Sequence, residues 1–326
     1  MKKVLTLVLV ALMLLGSFAV AEELYTPEKT EYNFVFIPKL VHVWYETVKV
    51  GIDQAIAEYA DQGVTITYDW QAQPTADIMG HVQLIESAAA TNPDGISTAV
   101  IDPASDSAVI NDVIAAGIPV CTFDNDAPNS NRMFFAGNND NKEDGIVLGE
   151  LLAEQIDYKG KVAILSGTLG APSHMERIEG FKEVVAKYPD IEIVAEYADE
   201  DSIEKAVELT ENIINTYDDV VGIFCCNAAN PVGAARAVAD ANKQDQITIV
   251  GMDDDPETMS YIGDGVIYAT RVQNVSDIGY YSILQMVKIA DGILPEGDAK
   301  VHSVGSYTVT KDNLDEYYEK SGNTPE

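Results

Sequence analysis

Between Asn33 and Ala290 short apolar runs alternate with longer segments of helical spacing, and this alternation constrains the fold most. The strand-like runs of the first half are 34–37, 64–68, 95–101, 118–123 and 133–136. Helical patterns begin at Trp44 and span 76–90 and 105–116 between them. The pattern then starts again. Helical segments at 141–155, 175–187, from Ser202, 231–241 and 277–290 separate strands at 161–165, 191–197, 220–226, 247–252 and 269–273. A last strand at 306–309 and a short helix near 312–320 close the chain. Repeated strand–helix units of this kind build parallel sheets covered by helices, an α/β fold. No Pro/Gly/Ser-rich linker divides the halves, which fits domains joined by several crossing segments better than beads on a string.

The first unit carries the densest chemistry. Pro38 ends the apolar strand 34–37, and Trp44, Val48, Ile52 and Ile56 recur at helical spacing. The loop and first helical turn hold Lys39, His42, Trp44 and Tyr45. Ligands of open α/β sheets bind beyond the carboxyl ends of the strands. A cation, an imidazole and two aromatics there form a recognition surface; alternatively, Trp44 and Tyr45 belong to the core face of the helix.

The amino terminus reads as an export signal. Lys2 and Lys3 precede the apolar run 4–15, and Ala19-Val20-Ala21 is a small-x-small cleavage site. Cleavage after Ala21 is expected, with 1–21 as signal peptide and no membrane insertion afterwards. The apolar run is too short for a permanent span. Formal charge is −33, and losing Lys2 and Lys3 with no acid takes it to −35. Nucleic acid and anionic membranes would repel such a chain. Its 3 cysteines, Cys121, Cys225 and Cys226, make no disulfide framework. Cys225 and Cys226 sit in an apolar run and read as small buried hydrophobes.

Six motifs in order resemble the ribose-binding-protein family, the type I periplasmic sugar-binding proteins of ABC importers. They are FIPKL…WY…VKVGIDQA, GIPVCTFDND, HMERIEGFKEV, GIFCCNAANPVGAARA, IVGMDDDPE and ATRVQNVSDIGYYS. The resemblance covers about Tyr32 to Val309. It implies two doubly wound parallel-sheet domains joined by three crossover segments, near Asn138, Asn274 and Gly305. The lobes would be 32–137 plus 274–304 and 138–273 plus 305–326. It also implies a sugar site in the cleft between them. Trp44 and Tyr45 match aromatics that sandwich the ring. Asp124, Arg177, Asn227, Asp253 and Gln273 match the family's polar ligands. Three positions depart from the pattern and count with the site: Asn125 stands where an arginine is common, His42 where an asparagine is common, and Lys39 follows a proline, as in a subgroup that includes rhamnose and autoinducer-2 receptors. Pro172, Ser173 and Cys226 differ from the autoinducer-2 receptors.

The chemistry of these residue types suits a sugar. Carboxylates accept from neighbouring hydroxyls, arginine donates in a planar fork, amides do both, and aromatic faces cover CH groups. No GxSxG elbow and no phosphate-cradling glycine loop occurs. The 4 histidines, His42, His81, His174 and His302, carry no paired metal-ligand spacing, and Asp253-Asp254-Asp255 lacks the alternation of a calcium loop. The expectation is a periplasmic, monomeric binding protein without cofactor or catalysis. It takes a monosaccharide and meets an ABC transporter permease. The alternative is a sugar or autoinducer-2 receptor module that presents its ligand to a chemotaxis or sensor-kinase partner.

Overall fold

The computed structural model describes residues 24–322, so the expected signal peptide and its cleavage site lie outside the described residues. In the first half β1 (Glu31–Ile37), α1 (Trp44–Asp61), β2 (Thr65–Trp70), α2 (Ile78–Ala90), β3 (Gly95–Thr98), α3 (Pro103–Ala115), β4 (Val120–Phe123) and β5 (Phe135–Gly137) follow one another. The second half begins with α4 (Asn141–Gln155), β6 (Gly160–Ser166), α5 (Pro172–Val185), β7 (Ile191–Ala198) and α6 (Ile203–Thr216). It continues with β8 (Val220–Cys225), α7 (Ala229–Asp240), β9 (Thr248–Met252), α8 (Pro256–Asp264) and β10 (Ile267–Gln273). Then come α9 (Val275–Ala290), β11 (Val301–Ser303), β12 (Ser306–Thr310) and α10 (Leu314–Ser321).

These strands form two 6-stranded sheets with one plan. Their orders are β11-β5-β4-β3-β1-β2 and β12-β10-β9-β8-β6-β7. Every pairing is parallel except that of β10 with β12. Both sheets are doubly wound, and strand order reverses beside β1 in one and beside β6 in the other. The central strands are buried on both faces, which is why Phe34–Ile37 and Val162–Leu165 read as unbroken apolar runs. Side chains such as Phe36 and Phe224 are fully covered. Each contributes roughly 1.5–3 kcal/mol of apolar burial.

Helix starts follow local chemistry. The Asp102 carboxylate accepts from Ser105 N at 2.8 Å, so α3 begins at Pro103, two residues earlier than the apolar pattern suggests. Ser202 caps α6 through Lys205 N, and Asp255 caps α8 ahead of Pro256. One strand has no counterpart in the sequence reading: β11 is short, half-exposed and leans on β5.

The chain passes between the sheets three times, after β5, after β10 and after β11. These segments are tied together. Val304 N donates to Gly137 O at 3.0 Å, and Asn274 Nδ2 to Val304 O at 2.7 Å. Behind them Asp144, fully buried, accepts from Asn138 Nδ2 at 2.6 Å, Arg271 Nε at 2.8 Å and the Ser306 hydroxyl. One carboxylate thus links residues at all three passages.

Candidate binding cleft

The two strand-order reversals face each other across one cleft. From the first lobe it is lined by Lys39, Leu40, His42, Trp44, Tyr45 and Asp124. From the second come Ser173, His174, Arg177, Asp201, Asn227, Ala228, Asp253 and Gln273. Nine of the ten residues expected at the site therefore meet here. The tenth, Asn125, does not line the cleft. It is 1% exposed, and its Oδ1 accepts from Ser173 N at 2.9 Å, a direct bond between lobes.

Each lobe presents an aspartate at the end of its fourth strand. Asp124 follows β4 with φ +59, and Asp253 follows β9 with φ +66. Left-handed backbone at a non-glycine residue is uncommon and gathers at functional sites. Asp124 accepts from the Tyr45 hydroxyl at 2.7 Å and sits 3.7 Å from Lys39 Nζ. Asp253 accepts from Gln273 Nε2 at 2.7 Å. Burial pushes the Asp253 carboxyl up to about 6, against the pull of Arg177.

The aromatic pair departs from the expected sandwich. The Trp44 and Tyr45 rings meet edge to face, 5.2 Å apart at 83°, so no ligand ring fits between them. Tyr45 is both core and wall: it is 3% exposed, packs on Phe123 and orients Asp124. Trp44 is partly buried, and its indole N–H points toward Asp253 across the cleft without closing a hydrogen bond.

Arg177 comes from α5, which α4 approaches closely. A Cβ at Gly145 would stand 1.9 Å from the Arg177 carbonyl oxygen, so only glycine allows this crossing. Arg177 donates through one terminal nitrogen to Cys226 O at 3.0 Å, and its Nε has no partner. Asn227 supplies the first turn of α7: its Oδ1 accepts from Ala229 N at 3.1 Å and Asn230 N at 2.8 Å. The helix therefore begins at Ala229, ahead of the expected start at Pro231.

Residues 34–293 match the model of the periplasmic binding protein domain. The chain belongs to the periplasmic binding protein family. This binding protein is 32% identical to the ribose import binding protein of Haemophilus influenzae, over 61% of its own length and 68% of the relative's. It is 30% identical to the D-allose-binding periplasmic protein of Escherichia coli, over 78% and 82% respectively. Among solved structures, an ABC transporter solute-binding protein from Burkholderia graminis in complex with D-arabinose aligns at TM-score 0.81 and 28% identity. That alignment spans 88% of this chain and 98% of the other.

Two titratable cleft residues of the binding protein, His174 and Asp201, were not among the expected sugar ligands. His174 opens the motif HMERIEGFKEV, yet drew notice only as one of four histidines without metal-ligand spacing. Asp201 had drawn none, because it lies in the acidic run Asp199-Glu200-Asp201 of a chain with 53 acids. The signal it gives is positional: like Asp253, it closely follows a strand. Burial would raise its carboxyl, yet Lys39 from the opposite lobe, His174 and the Thr168 hydroxyl hold it well below the usual carboxylate range. Behind it Asp199 is fully buried and pushed up to about 7, by burial and then by Asp201. All three cysteines are free and buried. Burial lifts Cys121 and Cys226 to about 12, so neither is an activated thiol.

Proposed function

We propose that this chain is an exported solute-binding protein that captures a monosaccharide between its lobes and delivers it to the permease of an ABC importer. The lobes are taken as 32–137 plus 274–304 and 138–273 plus 305–326, and the signal peptide as 1–21, cleaved after Ala21. The observation that carries the reading is the convergence of Asp124 from one lobe with Arg177, Asn227 and Asp253 from the other on one cleft. Two buried donors there, Trp44 Nε1 and Arg177 Nε, have no protein partner. Acceptors, donors and one aromatic edge in one small space match a molecule with hydroxyls on its rim. Charges of both signs line the cleft, which favours a neutral ligand. The proteins named above for ribose, allose and arabinose support the same class.

A thermal-shift screen of pentoses, hexoses, deoxysugars and sugar alcohols tests this. A ligand that binds only the folded form stabilises it, by about 2.7 kcal/mol at a hundred times its Kd. Expected are a raised melting temperature with at least one monosaccharide and recovery of that sugar chemically unchanged. No response to any sugar would refute sugar binding, and a time-dependent product would make the protein an enzyme. Scattering or ultracentrifugation should find a monomer. A receptor role draws on one neighbour, solved as a XylFII–LytSN complex, at TM-score 0.78 and 27% identity. Capture of a sensor protein in preference to a permease would favour that role.

A further inference from the structure

Deep on the second-lobe side, Asp201 and His174 place two acceptors next to each other. Asp201 is fixed at both oxygens. Asn227 Nδ2 donates to Oδ1 at 2.5 Å, and the Thr168 hydroxyl donates to Oδ2. Its backbone and that of Glu200 are both left-handed, with φ +60 and +59, so the loop after β7 turns sharply to bring the carboxylate into the cleft. His174 Nδ1 lies 3.3 Å from the Thr168 carbonyl oxygen, which only accepts, so the hydrogen sits on Nδ1 and Nε2 is left with its lone pair. Burial, and then Lys39, hold this imidazole neutral, its pKa near 4. Nε2 is 3.8 Å from Asp201 Oδ1, too far for a bond between them. The backbone makes room for this convergence. A Cβ at Gly167 would stand 2.2 Å from Asn227 Nδ2, 2.5 Å from Asp201 Oδ1 and 2.6 Å from His174 Cε1.

We infer that Asp201 and His174 form a double-acceptor subsite that demands a hydroxyl donor at one position of the ligand and thereby sets which sugars the cleft accepts. The inference rests on the sugar-binding reading above. A hydroxyl placed here donates to the carboxylate or to the imidazole. A hydrogen in its place leaves two buried acceptors facing a C–H, and sites built to bond a hydroxyl reject analogues that lack it strongly. Lys39 and His42 line the same cleft from the first lobe and act on the Asp201 carboxylate through space.

The test uses the full mature chain and calorimetry. D-Ribose, D-allose, D-arabinose and D-xylose are titrated first, then every monodeoxy analogue of whichever sugar binds. One deoxy position is expected to lose at least tenfold in the parent. In Asp201→Asn that penalty should shrink below threefold while penalties at other positions stay as they were. A merely structural role for Asp201 would weaken all analogues alike and leave every ratio intact, which overturns the inference. If Asp201→Asn does not fold, His174→Gln carries the same comparison with the same two outcomes. If none of the four sugars binds the parent, the sugar-binding reading falls for this panel and the inference falls with it. If a sugar binds and no ratio changes, the inference alone falls.

Discussion

Asp253 gives the binding step a pH dependence. A ligand hydroxyl donates to the carboxylate, not to the protonated acid, and burial has raised this group from 3.8 to about 6. Affinity should therefore weaken as pH falls through about 6, by at most roughly tenfold per unit for one proton, and level off above it. The effect on folding has the opposite sign. The folded form holds the proton more tightly than the unfolded chain, so this group's contribution to stability shrinks as pH rises from about 4 to about 6. Calorimetric titrations with the stabilising sugar between pH of about 5 and 8 read the first effect. Asp253→Asn should lose most of the dependence along with affinity. A parent affinity that stays flat across that window would remove Asp253 from the site. At this scale the motifs named most of the cleft, because Asp124, Arg177, Asn227 and Asp253 each stand at a fixed place beside a strand or helix end. They missed Asp201, whose neighbours in sequence are acids like those on the rest of the surface.

Helix α5 shows how an element sets a residue. Its first turns supply Ser173, His174 and Arg177 to the cleft, and its placement depends on α4 lying against it at Gly145. Gly145→Ala should separate the two helices. Overpacking of this kind costs about 1–3 kcal/mol. The displacement also carries Arg177 with it, so sugar affinity should drop by more than a Gly→Ala change elsewhere in α4 would cause. Chemical denaturation and calorimetry on the same variant separate the two losses; an unaltered affinity would show that Arg177 tolerates the shift. Most elements were legible in the sequence because their apolar periods are strong, and α4 begins and ends where its pattern does. The starts of α3 and α7 and the whole of β11 were not. The α7 pattern points to Pro231, but the Asn227 side chain bonds the free N–H groups two residues earlier and extends the helix. Strand β11 has three residues with little burial, too few for a period, and exists because β5 leaves an edge to pair.

Across the whole molecule the lobes communicate through the three passages and the carboxylate of Asp144. Removing one partner of a buried ion pair typically costs about 3–5 kcal/mol, because the other charge stays buried. Asp144→Ala should lose stability on that scale in urea denaturation, although the residue does not line the cleft. A loss below about 1 kcal/mol would mean that Arg271 finds solvent. The same passages order events during folding. The first lobe's inner core closes only with Ile278, Ile283, Met286 and Val287 of α9, which cover Val48 and Ile52 of α1. Its last strand, β11, is later still in the chain. The amino-terminal lobe is therefore finished by the carboxyl-terminal fifth of the polypeptide. A chain that leaves the cell interior amino end first cannot complete this lobe while its tail is still being made, so it stays threadable through a narrow pore. A chain ending at Gln273 should show the consequence: hydrogen exchange should protect the strands β6–β9 and leave β1–β5 open, and protection of β1–β5 in that fragment would disprove the dependence. The topology that ties the lobes together through three passages thus also delays completion of the first lobe until the tail of the chain is in place.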